Sequence, residues 1–350
     1  MIRHIEEGDV LVTPRIESAD ANDLDTLARL RTEQGWQRSE VLLRAIQRWD
    51  HGRIFIVRAG SVDPATSRPH DIIASTSAIV AGHIGVIGTV IVRADFRRRG
   101  LGRLVMRACL DWMRGEGARV ALLDATPEGR PLYFELGFIG VEQSYFGHAD
   151  AEAFQRATRQ RSAPGFRAAL HPAADLPMIA DLDRAAFGGD RLGFLAHFLE
   201  LANASFYVVS DDARRPVAYA LARHLDAPYV GVRLGPWVAT SDDAATALLG
   251  AILADDAPWR KSVRDDGADP QIFVSMSGAN THATRLFETL GGALEEDDLI
   301  MRLDLASDNH GALPHVDTVT DRADPPATQV SAPLATHPDW LYGWIAPMVF

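Results

Sequence analysis

The sequence holds one cysteine, Cys109, in 350 residues, so no intramolecular disulfide is available and the fold must be held by burial of apolar surface. That thiol falls on the apolar side of a helical pattern, which reads as a buried structural group, and a reducing, cytoplasmic setting is expected. Basic residues are also in deficit: the formal net charge of −12 argues against a nucleic-acid partner. The opening residues Met1 to Glu7 lack the apolar stretch of a secretion signal. Long uncharged runs are scarce, and the one that could span a bilayer is Ala74 to Val92, with His83 as its sole titratable group. Its β-branched, Gly, Ser and Thr content and the turn at Ala81-Gly82-His83 predict two paired strands, so no membrane contact is expected.

What the chain does contain is a β-branched strand ending at Val90-Ile91-Val92, then Arg93-Ala94-Asp95-Phe96-Arg97-Arg98-Arg99-Gly100-Leu101-Gly102-Arg103, then the helical spacing Leu104, Val105, Ala108, Cys109, Trp112. A strand, a short basic loop and a helix in that order aim backbone N–H groups and a helix's positive end at one place, as a pyrophosphate requires. Glycines at 100 and 102 let an anion approach the backbone. A run of three arginines alone would be read as a solvated turn.

The spacing Arg97-x-x-Gly100-x-Gly102 resembles the signature of the GNAT superfamily of acyl-CoA-dependent N-acetyltransferases. The segment Leu132-Tyr133-Phe134-Glu135-Leu136-Gly137-Phe138, about thirty residues later, resembles that family's second signature. On its own, Tyr133 would be read as a core aromatic. The resemblance implies acetyl-CoA as acyl donor, with Val90, Ile91, Val92, Arg97, Arg98, Arg99, Gly100, Leu101, Gly102, Arg103, Thr126, Gly129 and Tyr133 as its contacts, and Tyr133 as the acid that protonates the leaving thiolate. Thr126 stands where the family commonly has Asn, a departure that a threonine hydroxyl would partly make good.

The order of elements occurs twice. Residues 1–148 read as helices at Asn22–Arg31 and Ser39–Trp49, strands at Ile54–Val57, Ile72–Val80 and Ile84–Val92, the phosphate-loop helix, a strand at Val120–Leu123, the Tyr133 helix and a strand at Val141–Phe146. Residues 149–165 read as a linker. The rest, 166–350, repeats the pattern: helices at Asp175–Phe187 and Arg191–Ala202, strands at Phe206–Val209, Val217–Arg223 and Gly231–Val238, a helix at Ala244–Ala254, a strand at Ile272–Met276 and a helix at Asn280–Gly291. The expected fold is α/β (α+β), two tandem GNAT-like domains, each a mixed and mainly antiparallel sheet flanked by helices. A proline-rich insertion near 306–336 and a returning C-terminal strand within Trp340–Ala346 complete it. The whole resembles two-domain bacterial GNAT proteins.

The second unit is a changed copy. Phe287 stands where the tyrosine would be, and Thr240-Ser241-Asp242-Asp243 replaces the arginine-glycine loop. Two aspartates at a helix start cap it well and repel a pyrophosphate, so this unit is expected to be non-catalytic and to shape the substrate pocket.

For direct acyl transfer the amine must be neutral, and the candidates for its base are Asp124, His83 or solvent. Asp124 also reads as a turn cap and His83 as a surface turn residue. Thr89 is a candidate substrate contact or a packing residue, and Asp190 with Arg191 is either a substrate anchor or a helix-capping ion pair. No metal site is indicated. The expected reaction is acetylation of a small-molecule primary amine by a monomer or homodimer. An acyl-CoA sensor without activity, or an acyltransferase for a peptide or protein amine, is the competing reading.

Overall fold

The computed structural model describes residues 14–36, 39–61, 71–161, 163–201, 203–225, 230–263, 269–305 and 341–343; the expected insertion at 306–336 lies outside them. The first half runs β1 (Ile16–Ser18), α1 (Leu24–Glu33), α2 (Glu40–Arg48), β2 (Gly52–Arg58), β3 (Ile72–Ala81), β4 (Ile84–Val92), α3 (Leu101–Gly115), β5 (Val120–Ala125), α4 (Arg130–Glu135), β6 (Ile139–Asp150) and α5 (Ala151–Arg159). The second runs β7 (Arg167–His171), α6 (Ala180–Phe187), α7 (Leu192–Leu201), β8 (Ala204–Ser210), β9 (Pro216–Leu225), β10 (Gly231–Ala239), α8 (Asp242–Ile252), α9 (Pro258–Val263), β11 (Gln271–Ser277), α10 (Thr281–Thr289), β12 (Ala293–Asp304) and β13 (Leu341–Gly343). The fold class expected from the sequence, a mixed sheet flanked by helices in each half, is what the structure shows.

The uncharged stretch 74–92 is the β3–β4 hairpin, its strands antiparallel from Ala74 against Val92 to Ala81 against Ile84. Every residue of β3 is buried, because α1 and α2 cover one face of the sheet and α3 the other. A strand covered on both faces has no place for a charge. Among the described residues no helix is long and apolar enough to cross a membrane.

The two sheets join into one, in the order β1-β2-β3-β4-β5-β12-β6-β11-β10-β9-β8-β7. The last long strand of each half crosses to the other: β12 lies between β5 and β6, and β6 lies between β12 and β11. Sequence reading placed no strand at β12. A shared apolar core reinforces the junction, with Leu43, Ile46 and Ile79 of the first half in one cluster with Phe187, Phe194 and Phe198 of the second. Trp49 meets Phe194 at a ring-centroid distance of 5.9 Å, a geometry worth about 0.5–1.5 kcal/mol beyond area burial.

Candidate active site

Strands β4 and β5 are parallel neighbours only from Ile84 against Val120 to Val86 against Leu122. Beyond that point β4 carries a bulge: Gly88 faces Ser77 and Ile91 faces Ser75, so Thr89 and Val90 together oppose Thr76. Thr89 takes a positive φ of 53°, a strained conformation for a β-branched residue. The bulge keeps β4 attached to β3 while its far end leaves β5, and a cleft of about 1030 Å³ opens between them.

One wall of the cleft is the loop into α3. Gly100, at φ 81°, caps this helix and offers no side-chain acceptor to its first amides, which leaves their N–H groups and the dipole's positive end for a ligand. The loop arginines are tethered. Arg97 donates through Nε to the Val92 carbonyl at 3.1 Å and through Nη2 to Gln34 Oε1 at 2.7 Å. Arg99 bonds the Asp95 carbonyl at 3.2 Å and lies 5.0 Å over the Phe96 ring, and Arg103 pairs with Glu135. A Cβ on Gly102 would come within 3.1 Å of the Leu132 side chain and 3.6 Å of Val92, so the loop lies close against both flanking elements.

The opposite wall is α4. Tyr133 is 6% exposed, sits edge-on to Phe138 at 6.0 Å, and lies against Gly129, where a Cβ would meet its ring at 2.9 Å. Burial, and then the charge of Asp298, push its hydroxyl pKa upward, so the group is held as a proton donor.

Residues 22–138 match the acetyltransferase (GNAT) family, and residues 179–264 match an acetyltransferase (GNAT) domain. The chain belongs to the GNAT superfamily, in tandem form. It is similar to the uncharacterized N-acetyltransferase YitH of Bacillus subtilis, 30% identical over 188 residues that cover 53% of this chain and 61% of that protein. A shorter match, 36% identical over 58 residues, covers 17% of this chain and 35% of glucosamine 6-phosphate N-acetyltransferase 1 of Oryza sativa subsp. japonica. The chain thus spans less than two thirds of either relative. Among solved structures, an acetyltransferase-named protein of Pyrococcus horikoshii superposes with a TM-score of 0.62 at 17% identity, over 99% of this chain and all of that one. A tandem GNAT protein from the clavulanic acid biosynthesis pathway gives 0.57 at 15%, over 85% of this chain and all of that one. Both speak to the fold.

In this GNAT chain, every residue expected to contact the acyl donor, from Val90 to Tyr133, lines the one cleft, as do Thr89 and Asp124. Three expected site residues lie elsewhere. His83 is exposed in the β3–β4 turn, at the end of β4 away from the splay, so strand length alone separates it from Tyr133. Asp190 and Arg191 pack near that turn, where Gly82 approaches the Asp190 amide. Asp190 caps Leu192 at 3.2 Å and pairs with Arg184 at 3.3 Å. Arg191 is fully buried, pairing with Asp183 at 2.8 Å over the Phe187 ring, and Asp183 also accepts the Tyr219 hydroxyl. The capping and ion-pair reading fits them.

Two contributions went unread in the sequence. Arg31 of α1 is buried and donates through Nη1 to Thr89 Oγ1 at 2.8 Å, which fixes the strained bulge. Its pKa is pushed down to about 10 by burial and by the charge of Arg223 on β9, a second-half residue. Asp298, on β12, lines the cleft and is 6% exposed. A signal existed for it: Leu299-Ile300-Met301 is an apolar run after the α10 helix, where the repeat of the first half calls for a strand.

Proposed function

We propose that the chain transfers an acetyl group from acetyl-CoA to a primary amine of a small molecule, by direct attack while both are bound. The observation that carries this reading is the convergence on one cleft of the glycine-capped α3 N-terminus, the splayed edge of β4 and the buried Tyr133 hydroxyl. Acetyl-CoA would supply the thioester carbonyl and the thiol that leaves. The amides at the start of α3, with the adjoining arginines, would hold the pyrophosphate. Backbone N–H groups of β4 in the span Val90–Val92, where the strand leaves β5, would polarise the carbonyl as charge develops on its oxygen. Tyr133, kept protonated by burial, would give its proton to the sulfur, a step that typically contributes about 10²–10⁴-fold.

The second half would bind no acyl donor of its own. Calorimetric titration of the full chain with acetyl-CoA tests both points: one site per chain is expected, with affinity reduced about 100-fold or more by Gly102→Glu, which sets a carboxylate and its bulk at the pyrophosphate position. Two sites would mean the second half also binds. Absence of binding would sink the transferase reading.

A further inference from the structure

The wall of the cleft nearest Tyr133 is built partly by the other half of the chain. In β12, Glu296 faces Tyr145 of β6 and Leu299 faces Gln143, so Asp297 and Asp298 together oppose Ser144. This is a β-bulge, the device by which a strand turns one side chain away from the regular alternation, and bulges gather beside active sites. Gln143 anchors it, donating through Nε2 to the Asp298 carbonyl at 2.9 Å. The result is a carboxylate, nine-tenths buried, that lines the same cleft as Asp124 of β5 and Tyr133 of α4.

We propose that Asp298, supplied by the second half, receives the acceptor's ammonium group in the cleft and takes its proton before attack. This rests on the transferase reading above. The balance is complete with the groups named. The ammonium loses one proton to the Asp298 carboxylate, and the neutral nitrogen forms a bond to the thioester carbonyl carbon. The carbon–sulfur bond then breaks, Tyr133 protonates the sulfur, and the proton shed by the new amide nitrogen restores Tyr133. Asp298 returns its proton to solvent, so one proton is released per turnover. The other acidic and phenolic groups lining the cleft are Glu33, Asp124, Glu128, Glu135 and Tyr133. Asp298 is singled out because its charge acts on the Tyr133 hydroxyl and because it is the more deeply buried of the two aspartates.

The test uses two amines of similar size: ethylamine, a cation at neutral pH, and trifluoroethylamine, which is largely neutral there and needs no base. Asp298→Asn in the full chain is expected to slow acetylation of ethylamine by about 100-fold or more and that of trifluoroethylamine by no more than about threefold. Acetyl-CoA affinity by calorimetry should be unchanged, and Asp298→Glu should recover part of the ethylamine rate. Should Asp298→Asn not fold, the same rate ratio is read on Asp298→Ser. Equal losses for the two amines, no loss, or an amine-selective loss in Asp124→Asn instead would overturn the assignment. So would a wild-type chain that binds acetyl-CoA and acetylates neither amine. Failure to bind acetyl-CoA would instead reject the transferase reading itself.

Discussion

The two halves share a plan and differ at the splay between the strand that enters the long helix and its parallel neighbour. In both, the entering strand carries a two-for-one bulge: Thr89 and Val90 in β4, Gly235 and Pro236 in β10. In both, parallel pairing stops short of the bulge or at it, after Val86 and after Leu234. In the first half the wedge beyond is a cleft. In the second, β9 holds one edge of β10 throughout, so β13, paired with Trp237 and Val238, occupies the edge that β11 has left. A backbone strand stands where an acyl donor would lie.

The helix starts differ to match. Gly100 leaves the first amides of α3 without a side-chain acceptor, whereas Ser241 accepts the Ala244 amide of α8 at 3.2 Å and Asp242 and Asp243 fill the first turn. One terminus is left for an anion from outside and the other is satisfied from within. The comparison teaches that a repeated wedge is filled in one half by two independent changes, and that the altered half still contributes to the other's cleft, since Asp298 of its β12 lines it.

Breaking the comparison begins with arginine, which serves opposite ends in the two halves. Asp183→Asn strips the buried Arg191 of its charge partner, and an uncompensated charge at 1% exposure should lower unfolding stability by about 3–5 kcal/mol. Chemical denaturation reads this, and acetyl-CoA affinity of the folded fraction should stay as it was. Tyr133→Phe should do the reverse, slowing turnover roughly 100-fold with acetyl-CoA binding and thermal midpoint nearly unchanged; full activity in that variant would remove the hydroxyl from the chemistry.

A subtler contrast comes from alkali. Because burial and Asp298 raise the Tyr133 pKa above the ordinary 10, the native state holds this proton where the unfolded chain has released it. Stability therefore declines as pH climbs past about 10, and Tyr133→Phe should show a shallower decline, by one proton per molecule, in denaturation across that range. The smallest effect is expected from Asp242→Ala with Asp243→Ala. Removing both carboxylates from α8 should cost about 0.3–1 kcal/mol each and leave acetyl-CoA stoichiometry at one, because β13 still fills the wedge. A second calorimetric site in that variant would show that charge, rather than the inserted strand, closes the second half.

Local chemistry made much of this legible. The Gly100 and Gly102 spacing, the tyrosine before Gly137-Phe138 and the bare hydrophobic run of β3 and β4 are properties of contiguous residues, so they can be read along the chain. Asn280 is likewise local, its side chain accepting the Ala283 amide at 3.0 Å to start α10. Readings that depended on distance fared differently. His83 sits at the wrong end of its strand, and Arg191 turns into the core to meet Asp183, because sequence proximity to a motif does not say which end of a strand a turn occupies.

The sequence by itself determined the repeated order of elements, the fold class and the contrast between a basic, glycine-capped helix start and an acidic one, since each rests on residues within a few positions of one another. Only the tertiary structure decided that β6 and β12 exchange between halves, that β13 enters the second wedge, and that Arg31, Arg223 and Asp298 bear on the site. Strand pairing joins residues more than a hundred positions apart through backbone groups that every residue carries, and such pairing leaves little mark on the side chains until the chain has folded.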